Sequence, residues 1–204
     1  NDALGTLVPL AVQVRRSTAP IQRVYFLGEY EDVNLEGDGI YHQWHYHYFR
    51  GTLTGHLGTA TSPPWMYLWD TSWIPDQPTP FRLAAWITDS TGLTYFTEAV
   101  TNLTFQRKGL SVELCKPYDV PPKWVTRYAG KRQKFRIHGN LQNLQAARLV
   151  WVSWSPGYMN GIYINGVRVF DREGPRYAYF RHCVPLTRLS VFKPGENILE
   201  TGLT

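Results

Sequence analysis

Three groups of residues in this chain have types and spacings that can do chemistry. The first is Gly39-Ile-Tyr-His-Gln-Trp-His-Tyr-His-Tyr-Phe-Arg-Gly51, where three histidines are interleaved with aromatics between two glycines. In a strand, His45 and His47 share a face with Gln43, and His42, Trp44, Tyr46 and Tyr48 share the other. A His-x-His pair on one face can chelate a transition metal. Only His56 is near enough in sequence to add a third ligand, so the expectation is a loaded packing strand with Trp44, Tyr46 and Tyr48 at a core or interface.

The second group lies just upstream, in Glu29-Tyr-Glu-Asp-Val-Asn-Leu-Glu-Gly-Asp-Gly39. Asp32, Asn34 and Glu36, followed by Gly37, have the one-three-five oxygen spacing and sharp glycine turn of a calcium loop, and Asp38 adds another oxygen. Gln43 stands where an EF-hand needs its twelfth-position acid, and no flanking helices are expected. The segment is therefore read as a looser Ca2+ loop with Asp32, Asn34, Glu36 and Asp38 as metal ligands, or else as a solvated acidic turn.

The third group suits sugars. Carbohydrate recognition needs an aromatic face that stacks on the C–H side of a pyranose, beside side chains that reach its hydroxyls. The second half offers Trp151, Trp154, Tyr158, Asn160, Tyr177, Tyr179, Arg181 and His182 near expected loops, with Ser153-Trp-Ser-Pro-Gly-Tyr-Met-Asn160 the most suggestive segment. Trp154, Tyr158, Asn160, Tyr177 and Arg181 are the expected ligand contacts. Trp151 and Trp154 do not alternate cleanly, so at least one belongs to the core.

The elements that must position these groups are strands. Leu10–Val14, Gln22–Leu27, Phe81–Ile87, Arg148–Trp154 and Gly161–Val169 carry period-2 patterns of β-branched and aromatic residues, bounded by Gly, Pro, Asn and Asp. No window keeps a helical period over three turns; Leu141–Ala147 allows one turn of helix. Asn165-Gly166 between two short apolar runs is a hairpin signal, because both residues tolerate positive φ. The pattern predicts an all-β chain of two β-sandwich domains, residues 1–107 and 108–204.

Composition agrees. A length of 204 residues with 43% hydrophobic content accommodates two domains with cores, and 15% aromatic against 18% charged residues is a strand-rich balance. The net charge of +5 hides an asymmetry: residues 1–107 carry six basic and ten acidic side chains, residues 108–204 fifteen and six. Such a split suits a basic half that meets an acidic polymer, or self-association of copies head to tail. No run reaches the roughly 18 apolar residues of a membrane span. The chain opens on Asn1-Asp2-Ala3 without an initiator Met, compatible with a processed segment, and the expected location is secreted or cell surface. Cys115 and Cys183 either join, closing a long loop worth about 4 kcal/mol, or stand as separate thiols. Asn102-Leu-Thr104 is a glycosylation sequon.

Two resemblances extend this reading. Gly55–Asp70, with its Gly-Thr, Pro-Pro-Trp and Trp-Asp steps, followed by Phe81-Arg-Leu-Ala-Ala-Trp-Ile-Thr-Asp-Ser-Thr-Gly92, resembles the immunoglobulin-like modules of extracellular carbohydrate-active proteins. Ala147-Arg-Leu-Val-Trp, Ile162-Tyr-Ile-Asn-Gly-Val167, Val184-Pro-Leu186 and Lys193-Pro-Gly-Glu-Asn-Ile198 are similar to galactose-binding-like jelly rolls. The first departs from its pattern by an insertion over roughly 29–50. The second ends at least one strand early, which leaves an open edge: either the sequence is a truncated piece, or another segment, such as a neighbouring copy's strand, completes it.

The function expected from these features is non-catalytic carbohydrate binding or adhesion, with an acidic polysaccharide a natural ligand. The alternative is a structural subunit of an extracellular assembly, with Leu7–Val14 as a donor strand. A polysaccharide-degrading enzyme is the second alternative, with Asp171 or Glu173 the acids available to it. Lys123, Arg127, Lys131, Arg132, Lys134 and Arg136 form a basic cluster. Alternation places Phe135 and Ile137 opposite Arg132, Lys134 and Arg136, as in an ordinary half-buried strand, so nucleic acid is not the expected partner.

Overall fold

Short β-branched and aromatic runs that alternate in polarity cannot bury their apolar faces alone, so they pair into sheets that close on one another. The computed structural model describes residues 3–32, 55–120, 124–126 and 129–202. It is an all-β protein whose described helices are three single 3-10 turns. The chain divides into two units, Asn1–Val112 and Glu113–Thr204.

The first unit's main sheet runs β1 (Ala3–Leu4), β8 (Val100–Phe105), β6 (Phe81–Asp89), β3 (Ile21–Glu29), β4 (Gly55–Ala60), with β7 (Thr94–Phe96) also on β6. A second sheet pairs β2 (Leu7–Ala11) with β5 (Met66–Asp70). Val24, Phe26, Leu57, Phe81, Leu83, Ala85 and Leu103 from the first sheet meet Val8 and Trp69 from the second in one core. Gly58 has no Cβ because the ring of Tyr67 occupies that space. The segment expected as a donor strand is thus engaged at home: Val8 is core, and Leu7–Ala11 pairs with β5.

An arginine is built into this unit. The buried Arg107 donates to the carbonyls of Thr71 at 2.5 Å and Ile74 at 2.7 Å and pairs with Asp76. Asp76 in turn accepts from Ser111 Oγ at 2.6 Å and Val112 N at 3.1 Å. Residues 108–112 belong to the first unit for this reason.

The second unit's larger sheet runs β12 (Val167–Phe170), β11 (Ile162–Ile164), β14 (Gly195–Thr201), β9 (Lys131–Ile137), and a smaller one pairs β10 (Arg148–Trp154) with β13 (Tyr179–Pro185). Phe135, Ile164, Leu186 and Val191 form its buried core, with Leu149, Val169 and Leu199 packed against it. The β11–β12 turn has φ of 51° at Asn165 and 79° at Gly166, as the Asn-Gly signal requires. The Asn165 side chain then reaches inward and donates to the fully buried Asn197 at 2.7 Å. Asn197 also accepts from Lys193 N and donates to the carbonyls of Lys193 and Gly195, so its amide is satisfied on both sides. Cys115 and Cys183 are separate thiols.

Candidate functional site: an aromatic loop platform

Antiparallel pairing of β10 with β13 sets Trp151 opposite His182, Ser153 opposite Phe180, Val152 opposite Arg181 and Trp154 opposite Tyr179. Alternation then sends the two faces to different tasks. Trp151, Ser153, Phe180 and His182 lie on the face shared with the core residue Leu149. Trp154 and Arg181 share the other face with Val152.

The inner face is an aromatic stack. The rings of Trp151 and His182 are parallel, at 4.0 Å and 5°. Phe170 and Phe180 stand edge-on to the imidazole at 5.4 and 4.8 Å. Ser153 Oγ lies 3.1 Å from His182 Nε2. Burial among these rings pushes the His182 pKa down to about 4, so the imidazole is neutral at physiological pH. His182 is thus buried and Trp151 half-buried against it, on the face of β10–β13 that also carries Leu149.

Beyond Trp154 the chain turns sharply. Ser155 and Tyr177 both have positive φ, 56° and 58°, a region that non-glycine residues enter only when their surroundings hold them there. They hold each other: Ser155 N donates to Ala178 O at 2.8 Å, and Tyr177 N donates to Ser155 Oγ at 2.5 Å. Gly157 N adds a bond to Pro175 O at 3.0 Å. The single 3-10 turn Pro156–Tyr158 is thereby clamped to the loop 174–178. Gly157 permits the close approach, since a Cβ there would lie 2.8 Å from Arg176 Cγ and 3.2 Å from the carbonyls of Gly174 and Pro175.

This clamp presents rings to solvent. Tyr177 is 74% exposed, Trp154 56% and Tyr158 38%. Tyr158 donates its hydroxyl to the Tyr177 hydroxyl at 2.8 Å, the two rings meet edge to face at 5.8 Å, and the Arg176 guanidinium lies 4.6 Å from the centre of the Tyr158 ring. The bond to Tyr177 raises the Tyr158 pKa above its ordinary value. The Tyr158 phenol therefore stays neutral at physiological pH, suited to stacking and hydrogen bonding.

Of the five expected sugar contacts, Tyr158 and Tyr177 touch, and Trp154 precedes the Ser155 that clamps Tyr177. Arg181 lies on the Trp154 face, two residues along β13 from the position opposite that ring. Asn160 is exposed, and among the described residues its side chain makes no hydrogen bond to the three rings. Arg176 was not a sequence candidate. Its signal was available in Pro175-Arg-Tyr177, a basic residue beside a nominated aromatic in a Gly-Pro loop.

The other sequence candidates fare differently. On β9, Arg132 pairs with Glu200 at 3.3 Å and Lys134 with Glu196 at 2.8 Å, while Phe135 points into the core. Most of that stripe's charge is compensated by β14. Lys123 and Arg127 lie outside the described residues, as do Asn34, Glu36, Asp38 and the whole His-rich stretch 39–51. Asp32 is half-buried, three residues beyond the end of β3. Among the described residues no group of three His, Cys, Asp or Glu is placed to hold a metal ion, and no helix is long and apolar enough to cross a membrane. Asn102 of the sequon is exposed, with φ of 59° at a register shift where β8 meets β6.

Comparison with family models, with curated proteins and with solved structures finds no match to this chain.

Proposed function

We propose that the chain is a non-catalytic, extracellular carbohydrate-binding or adhesive protein that contacts its ligand through Trp154, Tyr158 and Tyr177. In this proposal the first unit is immunoglobulin-like and the second is a galactose-binding-like jelly roll. The observation that carries it is the clamp between Ser155 and Tyr177. Two non-glycine residues are held at positive φ, at a cost on the order of 1–3 kcal/mol each, and the result is solvent-facing rings that contribute little to the core. A pyranose needs such pre-ordered aromatic faces, because ordering them at the moment of binding would subtract from affinity.

The test is affinity electrophoresis of the full chain through gels containing individual polysaccharides, with Y177A and W154A as variants. Retardation of the parent in at least one gel, lost in both variants, is the expected result; a chain that runs freely in every gel contradicts the proposal. Parallel gels with calcium and with chelator test whether Asp32, Asn34, Glu36 and Asp38 form a loop that ligand binding needs. Reducing ends released from a retarding polysaccharide would move the assignment to a degrading enzyme.

A second reading, a subunit of an extracellular assembly, rests on a different observation. The sheets β2–β5 and β10–β13 have only two strands each among the described residues, and Leu7, Met66 and Leu68 are exposed on the outward face of β2–β5. Open edges and an apolar face invite pairing between copies. Size-exclusion chromatography across a concentration series separates the two, since the binding module stays monomeric and the subunit does not.

A further inference from the structure

We propose that the ligand of the aromatic platform is an anionic polysaccharide, gripped at its carboxylate or sulfate groups by Arg176 with help from Arg172 and Arg181. The proposal rests on the carbohydrate reading above and adds the chemical class of the sugar.

The basic side chains around the platform are all of one kind. From Arg148 to Cys183 the chain has five arginines, no lysine and two acids, Asp171 and Glu173. Asp171 is engaged by Arg168, and among the described residues neither Arg172 nor Arg176 has a carboxylate partner. The contrast with β9 is informative, because there Arg132 and Lys134 are matched by Glu200 and Glu196. Glu173, the acid left in the loop, makes no ion pair with either arginine.

Arg176 is also placed rather than loose. Its stem crosses Gly157 where a Cβ would collide, and its guanidinium lies over the Tyr158 ring. A guanidinium stacked on an aromatic keeps its N–H donors at its rim, directed past the ring edge. It can therefore take an oxyanion in a two-bond fork while the exposed Tyr177 ring meets the sugar. Lysine would supply charge without that fork. Arginine beside an aromatic platform also fits single-stranded nucleic acid, whose bases stack in the same way. The rings here favour sugar: Tyr158 and Tyr177 meet edge to face through a hydroxyl–hydroxyl bond rather than standing as parallel steps for successive bases.

The experiment is isothermal titration of the full chain with polygalacturonate and its methyl ester, with dextran sulfate and dextran, and with a single-stranded oligonucleotide. The variants are R176A, Y177A and, as a charge control away from the platform, R132A. Binding of a charged polymer but not its neutral counterpart, weakened about tenfold or more in R176A, abolished in Y177A and unchanged in R132A, is the expected result. The pair that discriminates identifies carboxylate or sulfate as the recognised group. Equal binding of charged and neutral polymers, indifferent to R176A, overturns the anionic assignment and leaves the carbohydrate reading standing. Binding of the oligonucleotide in preference to every glycan, or of nothing at all, overturns both.

Discussion

The indole of Trp151 and the imidazole of His182 lie parallel, 4.0 Å apart, on the paired strands that lead into the clamped loops. The groups that face the imidazole are Trp151, Phe170, Phe180 and the Ser153 hydroxyl, none of them charged. Burial therefore acts alone, and it holds the ring neutral. The pairing joins the fold to the platform, because β10 and β13 leave it and emerge as the two segments that carry Trp154 and Tyr177.

This has a pH consequence with a definite sign. The His182 pKa is about 4 in the fold and about 6.5 in an unfolded chain, so between those values the unfolded state binds more protons. Stability of the second unit is complete above about pH 6.5 and falls as the pH drops towards 4, by on the order of 3 kcal/mol. Urea unfolding followed by tryptophan fluorescence at a series of pH values should show this decline, and H182F should flatten it. An H182F profile parallel to the parent's would show that the decline comes from other groups.

Asp89 sets a second, more acidic window. Its carboxylate accepts from Thr91 Oγ1 at 2.6 Å, Thr91 N at 2.8 Å, Leu93 N at 3.2 Å and Tyr95 OH at 3.0 Å. These bonds, the Thr91 hydroxyl first, hold its pKa below the usual value. The stabilisation is present above about pH 4 and is lost as the pH falls through the lowered value. D89N should loosen the β6–β7 hairpin at neutral pH and remove part of the acid sensitivity. Hydrogen exchange at Thr94–Phe96 measures the first effect, and unchanged protection there would contradict it.

The amide pair Asn165–Asn197, with Asn197 fully buried, is a polar anchor of the second unit. Asn197→Ala leaves Lys193 N, the Lys193 and Gly195 carbonyls and the Asn165 amide without their partner. A loss on the order of 3 kcal/mol is expected in chemical denaturation. N197D should cost nearly as much, since a carboxylate cannot donate to the two carbonyls. A variant within the error of the parent would show that water replaces those bonds at little cost.

Removal of one partner from the Arg107–Asp76 pair tests the first unit in the same way. Asp76→Ala strands the Arg107 guanidinium among the carbonyls of Thr71 and Ile74 and frees Ser111 and Val112. Destabilisation on the order of 3 kcal/mol is expected, because the Arg107 side chain is fully buried, with little change in R132A, which removes a mostly exposed side chain.

The geometry of the platform predicts an effect of Gly157→Ala on binding. The added methyl group meets Arg176 and the carbonyls of Gly174 and Pro175, so the two loops must separate. Glycan affinity should fall as in R176A, with the circular dichroism spectrum retained. Full affinity in G157A would mean that the clamp does not order the rings.

Sequence alone reached the strands whose alternation is clean. Arg148–Trp154 is β10 to the residue, and Asn165-Gly166 closes its hairpin as expected. The all-β class followed from the same periodicity. Two kinds of information were not readable. Which face of β10 turns inward depends on its pairing with β13, about thirty positions along, so Trp151 and Trp154 could not be told apart and His182 looked available. Compensation is the other: the pairing of Arg132 and Lys134 in the basic cluster is not legible, because Glu200 and Glu196 lie more than sixty positions away in the chain. Arg176 differs from both: its place beside Tyr177 is legible in Pro175-Arg-Tyr177, but that its guanidinium settles on Tyr158 is not.

The most direct measurement is a two-dimensional NMR titration of the labelled chain with an oligogalacturonate, observing indole, backbone and arginine side-chain N–H signals. Binding at the platform predicts shifts confined to Trp154, Tyr158, Arg176, Tyr177 and their immediate neighbours, with Trp151 moving little. Shifts centred on the first unit or on β9, or a spectrum unmoved by charged and neutral oligosaccharides alike, would contradict the assignment of this platform as a carbohydrate-binding site.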